Sequence, residues 1–160
     1  MIWDLFCLNY NYGMSNEKQG KVICIYTWVA RLLIAIVLAW NLEAAMSFMV
    51  SRGSFLAAFE LKGLPGEIAV AGTGLLFLMW QVPYVLALVN PLKFKVSLIE
   101  ALAMQTIGLV GESILLTRIT SEYAMLRSSI TRFILFDGIG VILLSVALGV
   151  ILCKKVKKEV

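Results

Sequence analysis

The sequence contains no histidine. That absence removes His-ligated metal sites, haem held by His and a Ser-His-Asp triad from consideration. Cysteine is scarce: Cys7, Cys24 and Cys153 lie far apart and form no Cys-x-x-Cys pair. A dithiol redox centre is therefore not expected, and each cysteine reads as a small apolar side chain. Charge is scarce too. Only 15% of the 160 residues are charged and 61% are hydrophobic, where a soluble domain carries about 25% charged residues. Mean hydropathy is +0.91. Disorder is excluded by the same composition. So is a nucleic-acid partner, because the 14 Lys and Arg residues form no stripe on a polar domain.

What is present is a set of long apolar runs. Ile68 to Val89 carries no charge; Val96 to Leu116 carries only Glu100 and Glu112; Phe133 to Cys153 carries only Asp137. At 1.5 Å per residue each can cross about 30 Å of hydrocarbon. Val22 to Val50 is also long enough, but holds Arg31 and Glu43. Arg31 would lie near the midplane if that span began near Val22. It would snorkel to the headgroups if the span began near Trp28, and the interfacial preference of Trp favours the second placement. The fold expected is an all-α integral membrane four-helix bundle, with residues 1–160 forming one membrane domain. Its spans are about 22–50, 68–89, 96–116 and 133–153. Residues 1–21 form a cytoplasmic or interfacial N-terminus, in which Trp3, Leu5, Phe6 and Leu8 can lie on the membrane surface. No signal peptide is read there. Residues 154–160 form a basic tail.

With four spans the termini share one side. That side holds Lys18, Lys21, Lys93, Lys95, Lys154, Lys155, Lys157 and Lys158, against Arg52, Lys62, Arg118, Arg127 and Arg132 on the other. The excess predicts cytoplasmic termini, in the plasma membrane if the source is prokaryotic. The first outer loop predicts a short interfacial helix over Phe55–Lys62, capped by Ser54 and ended by Gly63, with Pro65 suited to the start of the next helix.

Polar groups at membrane depth are costly and are the default functional candidates. Gln81 lies two residues before Pro83. Proline frees a carbonyl one turn back, so Gln81 and Tyr84 are candidate partners for that gap or for a ligand. Gln105 and Glu112 are a heptad apart and share a helix face. Glu112 and Asp137 both fall in the outer third of their spans. They are expected to face one another or a common polar cavity rimmed by Arg118, Arg127 and Arg132. The candidate ligand-binding residues are thus Arg31, Gln81, Tyr84, Gln105, Glu112 and Asp137. The competing reading is that they are ion pairs and hydrogen bonds that only tie helices together. Gly72, Gly74, Gly108, Gly111, Gly138, Gly140 and Gly149 suggest close helix approach. No phosphate-binding glycine loop, serine nucleophile motif or metal-ligand cluster is present.

The run Arg31-Leu-Leu-Ile-Ala-Ile-Val-Leu-Ala-Trp40 resembles the first helix of DoxX-like membrane proteins. Ser54-Phe-Leu-Ala-Ala-Phe59 and Gly63-Leu-Pro-Gly66 resemble the family's first loop and the start of its second helix. Where the family often has an acidic residue early in that helix, this chain has Gly72-Thr73-Gly74, and it lacks a third-helix His. The resemblance implies a compact four-helix membrane bundle, with some relatives serving as the membrane subunit of a quinone-linked sulfur oxidoreductase. Three functions stay open. The first is an accessory or binding subunit of a membrane complex, with a membrane protein partner or a second copy of itself and quinone as the candidate cofactor. The second is a stand-alone small enzyme or transporter, dimeric if a transporter. The third is a purely structural membrane protein. The absence of catalytic motifs leans away from an enzyme.

Overall fold

A computed structural model gives the structure of residues 17–156, with side chains described over 24–152. The surface segment Trp3–Leu8 and the basic side chains from Lys154 onward lie outside the described residues. Among the described residues there are four long α-helices and no strand: α1 Glu17–Val50, α2 Gly63–Val89, α3 Lys95–Arg118 and α4 Ala124–Val156. All four are long and apolar enough to cross a membrane. Each helix packs on its sequence neighbour, and α1 also packs on α4, which closes the bundle. The chain is an all-α four-helix membrane bundle. Its helices overrun the apolar cores, most of all α4, which begins at Ala124 rather than near Phe133. Leu32, Ile68, Ile107 and Leu135 are all more than 60% exposed. In water such a surface would aggregate; in hydrocarbon it is the solvent-matched face.

The core follows from small and branched residues at helix contacts. Ala30, Ile34 and Val37 of α1 meet Ala87 of α2, Leu98 and Ala101 of α3, and Leu144 and Ala147 of α4, all essentially inaccessible. Three glycines make the approach close. A Cβ on Gly74 would lie 2.8 Å from the Ala45 carbonyl oxygen of α1, so backbone meets backbone there. Gly108 and Gly140 act between α3 and α4. The other glycines that suggested close approach do not all deliver it. Gly72, Gly111 and Gly149 face open space, and Gly138 makes only ordinary contact.

Two arginines close helix ends. Arg31 Nη2 donates to the Val89 carbonyl at the C-terminus of α2, and its guanidinium sits 5.2 Å from the Trp28 ring centroid. Arg127 Nη1 donates to the Ile119 and Leu116 carbonyls at the C-terminus of α3. Both neutralise orphan carbonyls and the negative end of a helix dipole.

The loop between α1 and α2 differs from its expected form. The short helix there is a 3-10 helix, Arg52–Phe55, in which Ser54 is internal and makes no cap. One further turn, Phe59 N–H to Phe55 carbonyl at 3.1 Å, ends in a Schellman arrangement. Leu61 donates to Leu56 at 2.8 Å and Glu60 to Ala57 at 3.1 Å. Glu60 takes the left-handed conformation that ends it, with φ 54°; Gly63 is also left-handed, with φ 62°, but stands at the start of α2. A non-glycine residue in that region is strained, and its side chain explains why it is held. The Glu60 carboxylate accepts the backbone N–H of Leu126 in the first turn of α4 at 3.4 Å, and Ser129 of α4 donates to the Ala58 carbonyl at 2.8 Å. An anion at a helix N-terminus is favourable. Phe48, Phe55, Phe59, Phe77 and Phe133 complete the docking, with ring centroids 4.7 to 6.4 Å apart.

Gly74→Leu should therefore destabilise the bundle by about 1–3 kcal/mol in an SDS unfolding titration, the usual cost of overpacking. Gly72→Ala, two residues away and facing open space, should leave the midpoint unchanged or raise it.

Candidate functional site

Towards the loop end of the bundle the four helices part around a cavity of about 430 Å³. Helix α1 contributes Asn41 and Glu43, α2 contributes Phe77, Trp80, Gln81 and Tyr84, α3 contributes Gln105, Gly111 and Glu112, and α4 contributes Arg132, Phe136 and Asp137. Five of the six sequence-derived candidates meet here. Arg31 does not, because its guanidinium is engaged at the C-terminus of α2.

A continuous hydrogen-bonded chain joins three helices. The Tyr84 hydroxyl, 2% exposed as a residue, donates to Gln105 Oε1 at 2.6 Å and also lies 3.1 Å from the Ala101 carbonyl. Gln105 Nε2 donates to Asp137 Oδ1 at 2.7 Å. Two glycines make room for this chain reciprocally. A Cβ at Gly108 of α3 would clash with Asp137 Oδ2 of α4, and one at Gly140 of α4 would lie 2.7 Å from Gln105 Nε2 of α3. The polar side chains of each helix thus press into the bare backbone of the other.

Two polar atoms in the same walls have no partner. Gln81 is 5% exposed; its Nε2 donates to the Phe77 carbonyl at 2.7 Å, but its Oε1 is buried and unpaired. Glu112 Oε2 is likewise buried without a partner. The gap left by Pro83 is at Met79, the residue four before it. Gln81 reaches Phe77 instead and Tyr84 reaches α3, so neither repairs the proline gap as expected.

The arginine rim also differs from its expected form. Arg132 lines the cavity, Arg127 is turned to the α3 carbonyls, and Arg118 is not among the lining residues. Among the described residues the ion pair is Arg52–Glu67 at 3.1 Å, and none joins Glu112 or Asp137 to an arginine. Glu112 and Asp137 do share the cavity. Sequence reasoning missed Asn41, 8% exposed, and Glu43 as wall residues. Both were visible as polar residues in an apolar run. No three His, Cys, Asp or Glu side chains among the described residues converge closely enough to hold a metal ion.

The cavity wall reaches the outer surface of the bundle. Trp80 of α2 and Ile107 of α3 line the cavity and are 44% and 69% exposed. The seam between α2 and α3 is the loosest of the four between neighbouring helices. No protein-family model matches the chain, and neither curated proteins nor solved structures give a match.

Replacing Gln105 by Leu should lower stability by about 1–3 kcal/mol, because Asp137 loses its donor while remaining half-buried. Adding Asp137→Leu should recover part of that loss in an SDS unfolding titration, since the carboxyl group is then no longer stranded and the Tyr84 hydroxyl keeps the Ala101 carbonyl.

Proposed function

We propose that this small multi-pass membrane protein binds a small hydrogen-bond-donating molecule in the cavity between its four helices, as a binding or accessory subunit of a membrane assembly. One observation carries the reading. Gln81 and Glu112, wall residues of one cavity, each hold an oxygen that is buried and unpartnered. A buried polar atom without a partner costs about 1–3 kcal/mol, and in hydrocarbon there is no solvent to supply one. Amide and carboxylate oxygens accept, so the occupant that relieves both brings N–H or O–H donors. Of the quinone couple, the quinol carries hydroxyls and matches this wall; the oxidised ring offers only acceptors. The resemblance of Arg31–Trp40 and Ser54–Gly66 to DoxX-like proteins supports a binding or accessory role of this kind.

Gly111 gives the test. It lines the cavity, and nothing lies within 4 Å of a Cβ placed on it. Gly111→Leu should fill the space without disturbing helix packing. Native mass spectrometry of the protein, extracted from its own membrane in mild detergent, should show a bound small molecule on the unaltered chain and none on Gly111→Leu. A mass that persists on the variant, or a chain bare in both forms, would sink the reading.

The excess of lysine at the end carrying the termini supports a cytoplasmic placement for them. In a bacterial host, green fluorescent protein fused after Val160 should fluoresce and alkaline phosphatase at the same place should be inactive; the reverse pattern would invert the topology.

A further inference from the structure

We propose that the occupant of this cavity is an organic ammonium, recognised by carboxylates and aromatic faces rather than by neutral hydrogen bonding alone. The inference rests on the cavity being a binding site and goes on to name the chemistry of what fills it. Three features carry it. Glu43, Glu112 and Asp137 line the walls with a single guanidinium, that of Arg132, among them. No arginine among the described residues pairs with Glu112 or Asp137, so these carboxyl groups are open to a cation. Glu112 and the 5%-exposed Gln81, both wall residues, each hold a buried acceptor without a partner, and an ammonium supplies several N–H donors to such a wall at once.

The remaining wall is aromatic. Phe77, Trp80, Tyr84, Phe133 and Phe136 line the cavity, and the face of an aromatic ring attracts a desolvated cation. The carboxylates are spread over three helices and do not converge on one point. That spacing suits an extended organic cation with an apolar body better than a bare metal ion. Trp80 and Ile107 bring that wall to the surface of the bundle, where an amphiphile that partitions into the bilayer first would meet it. In the bound arrangement the nitrogen lies at the Glu112 and Gln81 wall and the hydrocarbon body lies against Phe77, Trp80 and Phe136.

Two probes of one shape separate charge from fit: 2-phenylethylammonium and 2-phenylethanol. Titrated calorimetrically into the full-length protein in detergent micelles, the ammonium should bind at least tenfold more tightly than the alcohol. Glu112→Gln should bring the ammonium to the alcohol's affinity and leave the alcohol unchanged, while Glu112→Asp should retain a preference for the ammonium. Gly111→Leu should abolish binding of both. Equal affinity for the two probes, lost in Gly111→Leu but indifferent to Glu112→Gln, would overturn the ammonium and leave the cavity as a site for a neutral donor such as a quinol. Failure of both probes on the unaltered chain would also overturn the ammonium, and the endogenous-ligand experiment would then decide the cavity by itself. The two-probe comparison on the unaltered chain requires no variant to fold.

Discussion

A glutamine side chain in hydrocarbon has two donors and one acceptor oxygen to place, and no water to take what the protein leaves over. Gln105 places its oxygen under the Tyr84 hydroxyl of α2 and one of its N–H groups on Asp137 of α4. The registers of three helices are thereby coupled to one side chain. A slide of α3 by a single turn would strand a phenol, an amide and a carboxylate together. The glycines at 108 and 140 follow from the same constraint, since each stands where the opposite helix lays a polar side chain against the backbone.

Much of the architecture was legible because membrane insertion imposes a length and an apolarity that few other folds share. The four spans, Gln105 beside Glu112, and Asp137 opposite them all came from spacing and depth. Rotation about each helix axis was harder. A bundle in lipid is apolar on its outer and its inner faces alike, so periodicity does not mark which side points inward. That is why Gly72 looked as well placed for packing as Gly74, yet only Gly74 touches a neighbouring backbone. Arginine destinations were equally hidden. Arg31 and Arg127 go to backbone carbonyls at helix ends, and sequence carries no sign of which carbonyl a long side chain will reach. The loop was misjudged because Glu60 gains from its distant contact with α4 what a glycine would have provided locally.

The exposed residues complete the picture. A bundle whose lipid-facing surface is Leu, Ile and Val gains little from burying more of the same, because lipid tails are as apolar as the core. Specific contacts then decide which helices meet: backbone approach at Gly74, the shared amide of Gln105, the ring cluster around Phe48 and the capped helix ends. The α2–α3 seam is the most lightly joined, and the Tyr84 hydroxyl is what crosses it to Ala101 and Gln105.

The carboxylate of Glu60 has a consequence for the order in which the protein is made. Residue 60 leaves the ribosome well before residue 126, so the hairpin of α1 and α2 can present its anion and its phenylalanine shelf before the last helix exists. The final span arrives with unpaired amides at its leading end, and a docking berth has already been made for them. A chain altered at Glu60 would keep the phenylalanine shelf and the Ser129 hydrogen bond to Ala58, and would lose the anion that meets those amides.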